Sequence, residues 1–335
     1  MREALDPYVS ELDRRGTWRA LSTLREKFEY FQTDTVFRQS WRSAVDLLGD
    51  EAPAIFQRLA ILTVKPDAVL TRKAEDCLHY LSAHGFVPVH AELFWYDRSM
   101  VRDLWRFQWN VATLDRIDVT DLMLYRTQAM TIFLLDTSDP LEIPAAPRLI
   151  RLKGSAFPVD RSAFQLREVL GAPNRVAVLV HCPDEPMDIV RELGVVFDQP
   201  TLANIYTSVR AAVPADLTSA LHQLYKGTPE LSLDVDRAAT GVLRQLRSIR
   251  RGGDTTRRQA ADRAHAMVLR ARQGEFLDWR GWAADLAGAG LSPTDWEPVL
   301  VASQYIQHDL ADSKTLIRET GRRRWLAGEG LMLGG

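Results

Sequence analysis

The sequence predicts a mixed α/β fold framed by helical regions, and three observations lead there. Between residues 58 and 198, short apolar runs of strand character alternate with segments whose apolar residues recur every three or four positions. Before about residue 50 only the helical period is found. After about residue 200 the strand signals stop.

Taken in order, "YVSELDRRGTWRALSTLREKFEYF" and "SWRSAVDLLGD" read as helices, the second stopping at Gly49. "RLAILTVKPDAVL" is a short apolar strand running into a Lys-Pro-Asp turn, where Asp67 can cap the next helix. "RKAEDCLHYLSAHG" is a helix with a glycine stop, and "FVPVHAELFWY" a strand by alternation. "RSMVRDLWRFQWNVATL" (98 to 114) reads as helical, "AMTIFLLDT" as a buried strand, and 139 to 174 as connection with short helical pieces. "RVAVLVH" then reads as a buried strand through Val176, Val178 and Val180 that ends at His181, followed by the helix "MDIVRELGVVF". The segments beyond, including "SPTDWEPVLVASQYIQHDLADSKTLIRETGRRRWLAG", are helical by period. The expected division is therefore 1–56 helical, 57–200 mixed, and 201–335 a helical domain.

Composition narrows the class. With 46% hydrophobic and 26% charged residues among 335, the chain reads as an ordinary globular protein. A net charge of −2 offers no global attraction to nucleic acid or to an anionic membrane. Cys77 and Cys182 are too few for a disulfide framework, no apolar run reaches spanning length, and the first residues are charged. The expected compartment is the cytoplasm, with no membrane partner.

The chemistry concentrates at His181. Glu192 follows eleven residues later, within "VRELG", where a helix folding back from the strand end brings a carboxylate to the imidazole and fixes its tautomer. The same helix start offers free backbone N–H groups to an anion. Lys65 sits at the other strand-to-turn junction. Arg148, Arg151 and Arg167 precede the histidine strand, and arginine forks match phosphate oxygens.

These residues resemble the nucleoside diphosphate kinases. "ILTVKPDAV" is similar to that family's first strand and lysine turn, "EDCLHYLSAHGFVPVHAELF" to its first helix and second strand, and "LVHCPDEPMDIVRELGVVF" to its histidine strand, acidic turn and following helix. The likeness covers residues 58 to 198, less than half the chain. It implies an α+β fold, a ferredoxin-like βαββαβ core with an antiparallel sheet, carrying N-terminal helices and a C-terminal all-helical domain. It also implies a ping-pong phosphotransferase. His181 would take the γ-phosphate of ATP or another nucleoside triphosphate, with Mg²⁺ arriving on the nucleotide, and pass it to a nucleoside diphosphate or a specialised small-molecule acceptor. By position Glu192 would orient the histidine, Lys65 and Arg167 would hold phosphates, Ser155 would match a phosphate-binding threonine, and Arg148 or Arg151 a further arginine. Phe107, with Trp105 or Trp109 close by, would stack on the base. The family assembles into rings, so a homo-oligomer is implied unless the flanking helices cover those interfaces.

The sequence departs from the family at the ribose end. Val178 stands where the family has an asparagine, and Cys182-Pro183 where it has Gly-Ser, which removes a hydroxyl that supports the glutamate. These changes leave open a second reading: a weak or inactive nucleotide-binding sensor or scaffold. Rival nucleotide motifs are missing: there is no G-x-x-x-x-G-K-[ST] loop, and "GAGLSP" lacks a third glycine and a preceding strand. His79, His84 and His90 lack carboxylates at ligand spacing, so no protein metal site is expected. Arginines from Arg244 to Arg272, around Gly252-Gly253, lack interleaved aromatics and read as a solvated helical face, making nucleic acid an unfavoured partner. Trp279, Trp282, Trp296 and Trp325 are expected in the helical core or in its contact with the mixed domain.

Overall fold

A computed structural model describes residues 6–252 and 254–333; Gly253, at the expected junction between the arginine-rich helices, lies outside them. Four helices come first: α1 (Pro7–Arg14), α2 (Arg25–Phe31), α3 (Thr35–Leu48) and α4 (Ala52–Arg58). Asp6 and Asp34 start α1 and α3 by accepting backbone N–H groups of Tyr8 and Phe37. In α3, Phe37, Trp41, Ala44 and Leu48 recur at four and three residues and are all buried, a single apolar stripe.

The chain then passes directly into β1 (Leu59–Val64), buried along its whole length. There follow α5 (Pro66–Leu70), α6 (Ala74–Ala83), β2 (Phe86–Phe94), α7 (Arg98–Leu104), α8 (Leu114–Leu124), β3 (Ala129–Asp136), α9 (Ala145–Lys153), α10 (Leu166–Val169), β4 (Val180–His181) and α11 (Pro186–Val196). The four strands form one antiparallel sheet in the order β2-β3-β1-β4. Alternation along β1 and β3 divides the core. Ile61 and Phe133 face α3, α11 and α12 (Gln199–Ala211), while Leu62, Val64 and Ile132 face α6 and α9. The fold is thus α+β, with a small sheet sandwiched between helical layers.

After α13 (Thr218–Tyr225), the helices α14 (Val235–Gly252), α15 (Thr255–Ala271), α16 (Trp279–Gly288) and α17 (Trp296–Tyr305) pack around Trp282, Leu246 and Val299. That cluster also takes in Val119 and Met123 of α8, together with Val176. Among the arginines of α14 and α15, Arg263 pairs with Asp285, Arg272 with Asp236 and Arg250 with Asp262. No helix among the described residues is long and apolar enough to cross a membrane.

Three expectations are corrected. The expected helix 98–114 breaks after Leu104, and a 3₁₀ turn at Trp109–Val111 leads into α8, which Thr113 caps. Only Val180 and His181 of the expected strand 175–181 join the sheet. Asn174 Oδ1 accepts from the N–H groups of Val176 and Ala177, and Asp67 Oδ2 from that of Leu179, which sits at φ 66°. Side chains thus satisfy donors that a ladder would otherwise take. The third correction is the segment 306–321, expected to continue a helix. It leaves α17 in extended geometry at Ile306, and Asp309 forms a bridge with Ala112. The N–H of Thr113 donates to His308 O, and that of Leu316 to Phe107 O. The chain straps back across the molecule to α18 (Arg322–Leu326).

Candidate functional site

The site begins where β4 ends. Val180 and His181 pair with Val64 and Thr63 of β1. A short turn follows, and Glu185 and Asp188 close a capping box that starts α11 at Pro186. Glu192 lies six residues into that helix, roughly 9 Å along its axis, and its side chain returns to the strand end. His181 Nε2 and Glu192 Oε2 are 2.8 Å apart, in a pair only 16% and 13% exposed. Trp105 meets the imidazole edge-on at 5.5 Å and stacks on Trp109.

Around the histidine a cleft of about 650 Å³ opens, and Lys65, Lys153 and Arg167 line it from three elements. Lys65 directly follows β1, with an extended backbone forced by Pro66. Its ammonium donates to Val176 O at 3.3 Å and lies 3.7 Å from Asp67. Burial lowers its pKa against the opposing pull of Asp67. Arg167 of α10 donates to Gly154 O and Val180 O, and among the described residues its buried Nε has no partner. Burial brings its guanidinium down to about 10. Lys153 closes α9 and donates to Cys182 O at 3.3 Å. Asp184, on the cleft beside His181, has its pKa raised by burial, with Lys27 and Lys153 pulling the other way.

The opposite wall comes from α8, the loop before β4 and the strap. Arg116 and Arg175 both reach Asp309, at 2.5 Å and 2.6 Å, and Trp109, Lys314 and Arg318 also border the cleft.

Of the residues singled out in the sequence, His181, Glu192, Lys65 and Arg167 line this one cleft. The other four do not. Phe107 turns into the core against Phe31 and Tyr30, because the broken helix reverses its side; Trp105 and Trp109 take the cleft instead. Arg148 is ion-paired with Asp136 and lies over Phe86, at the far end of β3. Arg151 is exposed on α9, and Ser155 Oγ is engaged in a local turn, accepting from Phe157 N–H. The cation that α9 does present is Lys153. Its position has a sequence signal: it follows Leu149 and Ile150 by four and three residues and shares their buried side, which Arg148 and Arg151 flank. Arg116, Arg175 and the strap have no such signal, since the fold alone brings them together.

No family model and no curated protein matches the chain. Among solved structures, a nucleoside diphosphate kinase of Aquifex aeolicus is similar at 14% identity and a TM-score of 0.35, over 42% of this chain and 95% of that one. A likeness of that size decides nothing about function, which has to be argued from the side chains.

Proposed function

We propose that the chain is a phosphotransferase that moves the γ-phosphoryl of a nucleoside triphosphate through His181 to a small acceptor. The observation that carries this reading is the His181–Glu192 pair set among Lys65, Lys153 and Arg167. Glu192 engages Nε2, so Nδ1 is left as the nucleophilic nitrogen of the neutral ring. In the first half-reaction the Nδ1 lone pair forms a bond to Pγ, the bond from Pγ to the β–γ bridging oxygen breaks, and the nucleoside diphosphate leaves with that electron pair. Glu192 balances the positive charge that develops on the ring. The three cations stabilise the equatorial oxygens and the leaving phosphate. In the second half-reaction an anionic acceptor oxygen, as on a terminal phosphate, forms a bond to the same phosphorus, and the N–P bond breaks with its electron pair returning to Nδ1, which restores the neutral ring.

Mg²⁺ would arrive on the nucleotide. Asp184 is the half-buried carboxylate beside His181 that would face the ion's hydration shell, and a cation there would oppose the desolvation that raises its pKa. The antiparallel order β2-β3-β1-β4 supports a ferredoxin-like core.

A nucleotide-binding sensor without turnover is the competing reading. Val178 and Pro183, apolar where the kinases are polar, favour it. Self-phosphorylation separates the two. With Mg²⁺ and γ-labelled ATP, the expected result is acid-labile, base-stable label on the wild type and none on His181→Ala. Nucleotide binding without label, tried with several triphosphates, would leave the sensor as the better account.

A further inference from the structure

Arg116 and Arg175 are not needed by the chemistry just described, yet the fold brings them together from α8 and from the loop before β4. Asp309 of the strap fastens both. Arg175 also lies flat on Phe157, 3.7 Å from the ring centroid, and Arg116 lies over Trp109. Two forks are thereby fixed in place before any ligand arrives, which lowers the ordering cost of binding.

A purely structural ion pair would close its own charge balance, and this one does not. One carboxylate faces two guanidiniums, and Lys314 and Arg318 of the strap add further positive charge on the same wall. Burial lowers the pKa of Arg116, Asp309 pulls it back up, and the neighbouring charge of Arg175 lowers it further. The two side chains are only 13% and 18% exposed, and among the described residues the buried Nε of Arg175 has no partner. A donor left unpaired in such a place is a cost the local packing does not offset.

We propose that Arg116 and Arg175 form a second anion subsite, distinct from the Lys65–Lys153–Arg167 group, that takes a phosphate or carboxylate carried by the acceptor in addition to the oxygen that is phosphorylated. The proposal rests on the phosphotransferase reading for the word acceptor, but the subsite itself is a matter of binding. It gives a reason for the altered ribose end: the acceptor is recognised there by charge, with two arginine forks, held apart from solvent by Asp309 until an anion displaces it, in place of a neutral hydrogen-bonding pocket.

Orthophosphate is the probe. Equilibrium dialysis of the full chain with labelled phosphate should find two sites, one lost in Arg175→Gln and retained but weakened several-fold in Arg175→Lys, which keeps the charge without the fork. Asp309→Asn removes the competing carboxylate and should tighten the same site at least threefold, a gain that misfolding cannot imitate. Competition by acetate at that site would assign it to a carboxylate, and resistance to acetate to a phosphate. Equal phosphate binding by the wild type, Arg175→Gln and Asp309→Asn would overturn the proposal. Self-phosphorylation is measured on the same proteins. Two phosphate sites without any phosphohistidine would overturn the phosphotransferase reading and leave the subsite standing.

Discussion

Trp325 donates its indole N–H to Glu185 Oε1 at 2.8 Å, and so ties the end of the strap to the acidic turn that follows His181. Glu185 is fully buried and collects further donors: the hydroxyls of Ser22 and Thr23, the Thr23 N–H and the ammonium of Lys27. Lys27, itself 1% exposed, also holds Asp188 at 2.6 Å. Three distant parts of the chain meet at one carboxylate, on the residue immediately before α11 begins.

The clamp predicts a graded loss of stability. Lys27→Met leaves two buried carboxylates without their cation and should cost about 3–5 kcal/mol. Trp325→Phe removes one hydrogen bond to a charged acceptor and should cost about 1.5–3 kcal/mol. Gly321→Ala should also be severe. The residue sits at φ 72°, and an added Cβ would fall on the Glu185 carboxylate. Urea denaturation of the three variants checks the order, and a Lys27→Met protein as stable as the wild type would remove the clamp from the account.

The same cluster predicts a pH effect of definite sign. Burial, and then Asp184 and Glu185 against the pull of Lys27, raise Asp188 to about 7. The unfolded carboxyl titrates near 3.8, so between roughly pH 4 and 7 the folded state holds more protons than the unfolded one. This group's contribution therefore makes stability fall as pH rises through that window and level off above it. Asp188→Asn should flatten the fall. The difference between wild type and variant in urea midpoint, taken at pH 5 and pH 7.5, isolates the contribution; the same difference at both pH values would refute it.

Catalytic losses should rank by contact with the phosphoryl group. Under the proposed phosphotransfer, Lys65→Met and Arg167→Gln would each remove a charge that stabilises the transferring oxygens and should slow self-phosphorylation about 10²–10³-fold. Glu192→Gln keeps a partner on Nε2 but not its charge, and a smaller loss than in either cation variant is expected. Rapid-quench measurement of label transfer gives all three. Unchanged rates in Lys65→Met would show that its buried ammonium only braces Val176 and Asp67.

How far the sequence reveals this site depends on chain distance. His181 and Glu192 are legible because a strand end, a turn and a helix fix their relation within eleven residues. Lys65 and Asp67 are legible because Pro66 sets the turn they share. Phe107 misleads because one broken helix turn exchanges its side with that of Trp105 and Trp109, and helical period alone does not show the break. Asn174 and Asp67 convert an alternating valine run into an irregular loop through side-chain hydrogen bonds that alternation cannot register. The strap is the least legible. Its amphipathic pattern fits a helix, and it is drawn out instead by partners some two hundred residues away, such as Asn110, whose amide donates to Lys314 O and whose side-chain oxygen accepts from Leu316 N–H.

Trp105 supplies a signal for the chemistry itself. Its ring centroid is 5.5 Å from that of His181 in an edge-to-face arrangement, and it also stacks with Trp109 and Tyr96. A phosphoryl group on Nδ1 brings about two negative charges and three oxygens beside this indole. Under the proposed phosphotransfer, the emission of Trp105 should therefore change on addition of Mg²⁺ and ATP, with the kinetics of label incorporation, and return when an acceptor takes the phosphoryl group from His181. Trp105→Phe should lose the change while still taking up label, because the phenyl ring preserves the edge contact. His181→Ala should bind nucleotide with no such slow phase. A fluorescence change that persists in His181→Ala at the same rate would report nucleotide binding near Trp109, and would detach the signal from the phosphohistidine.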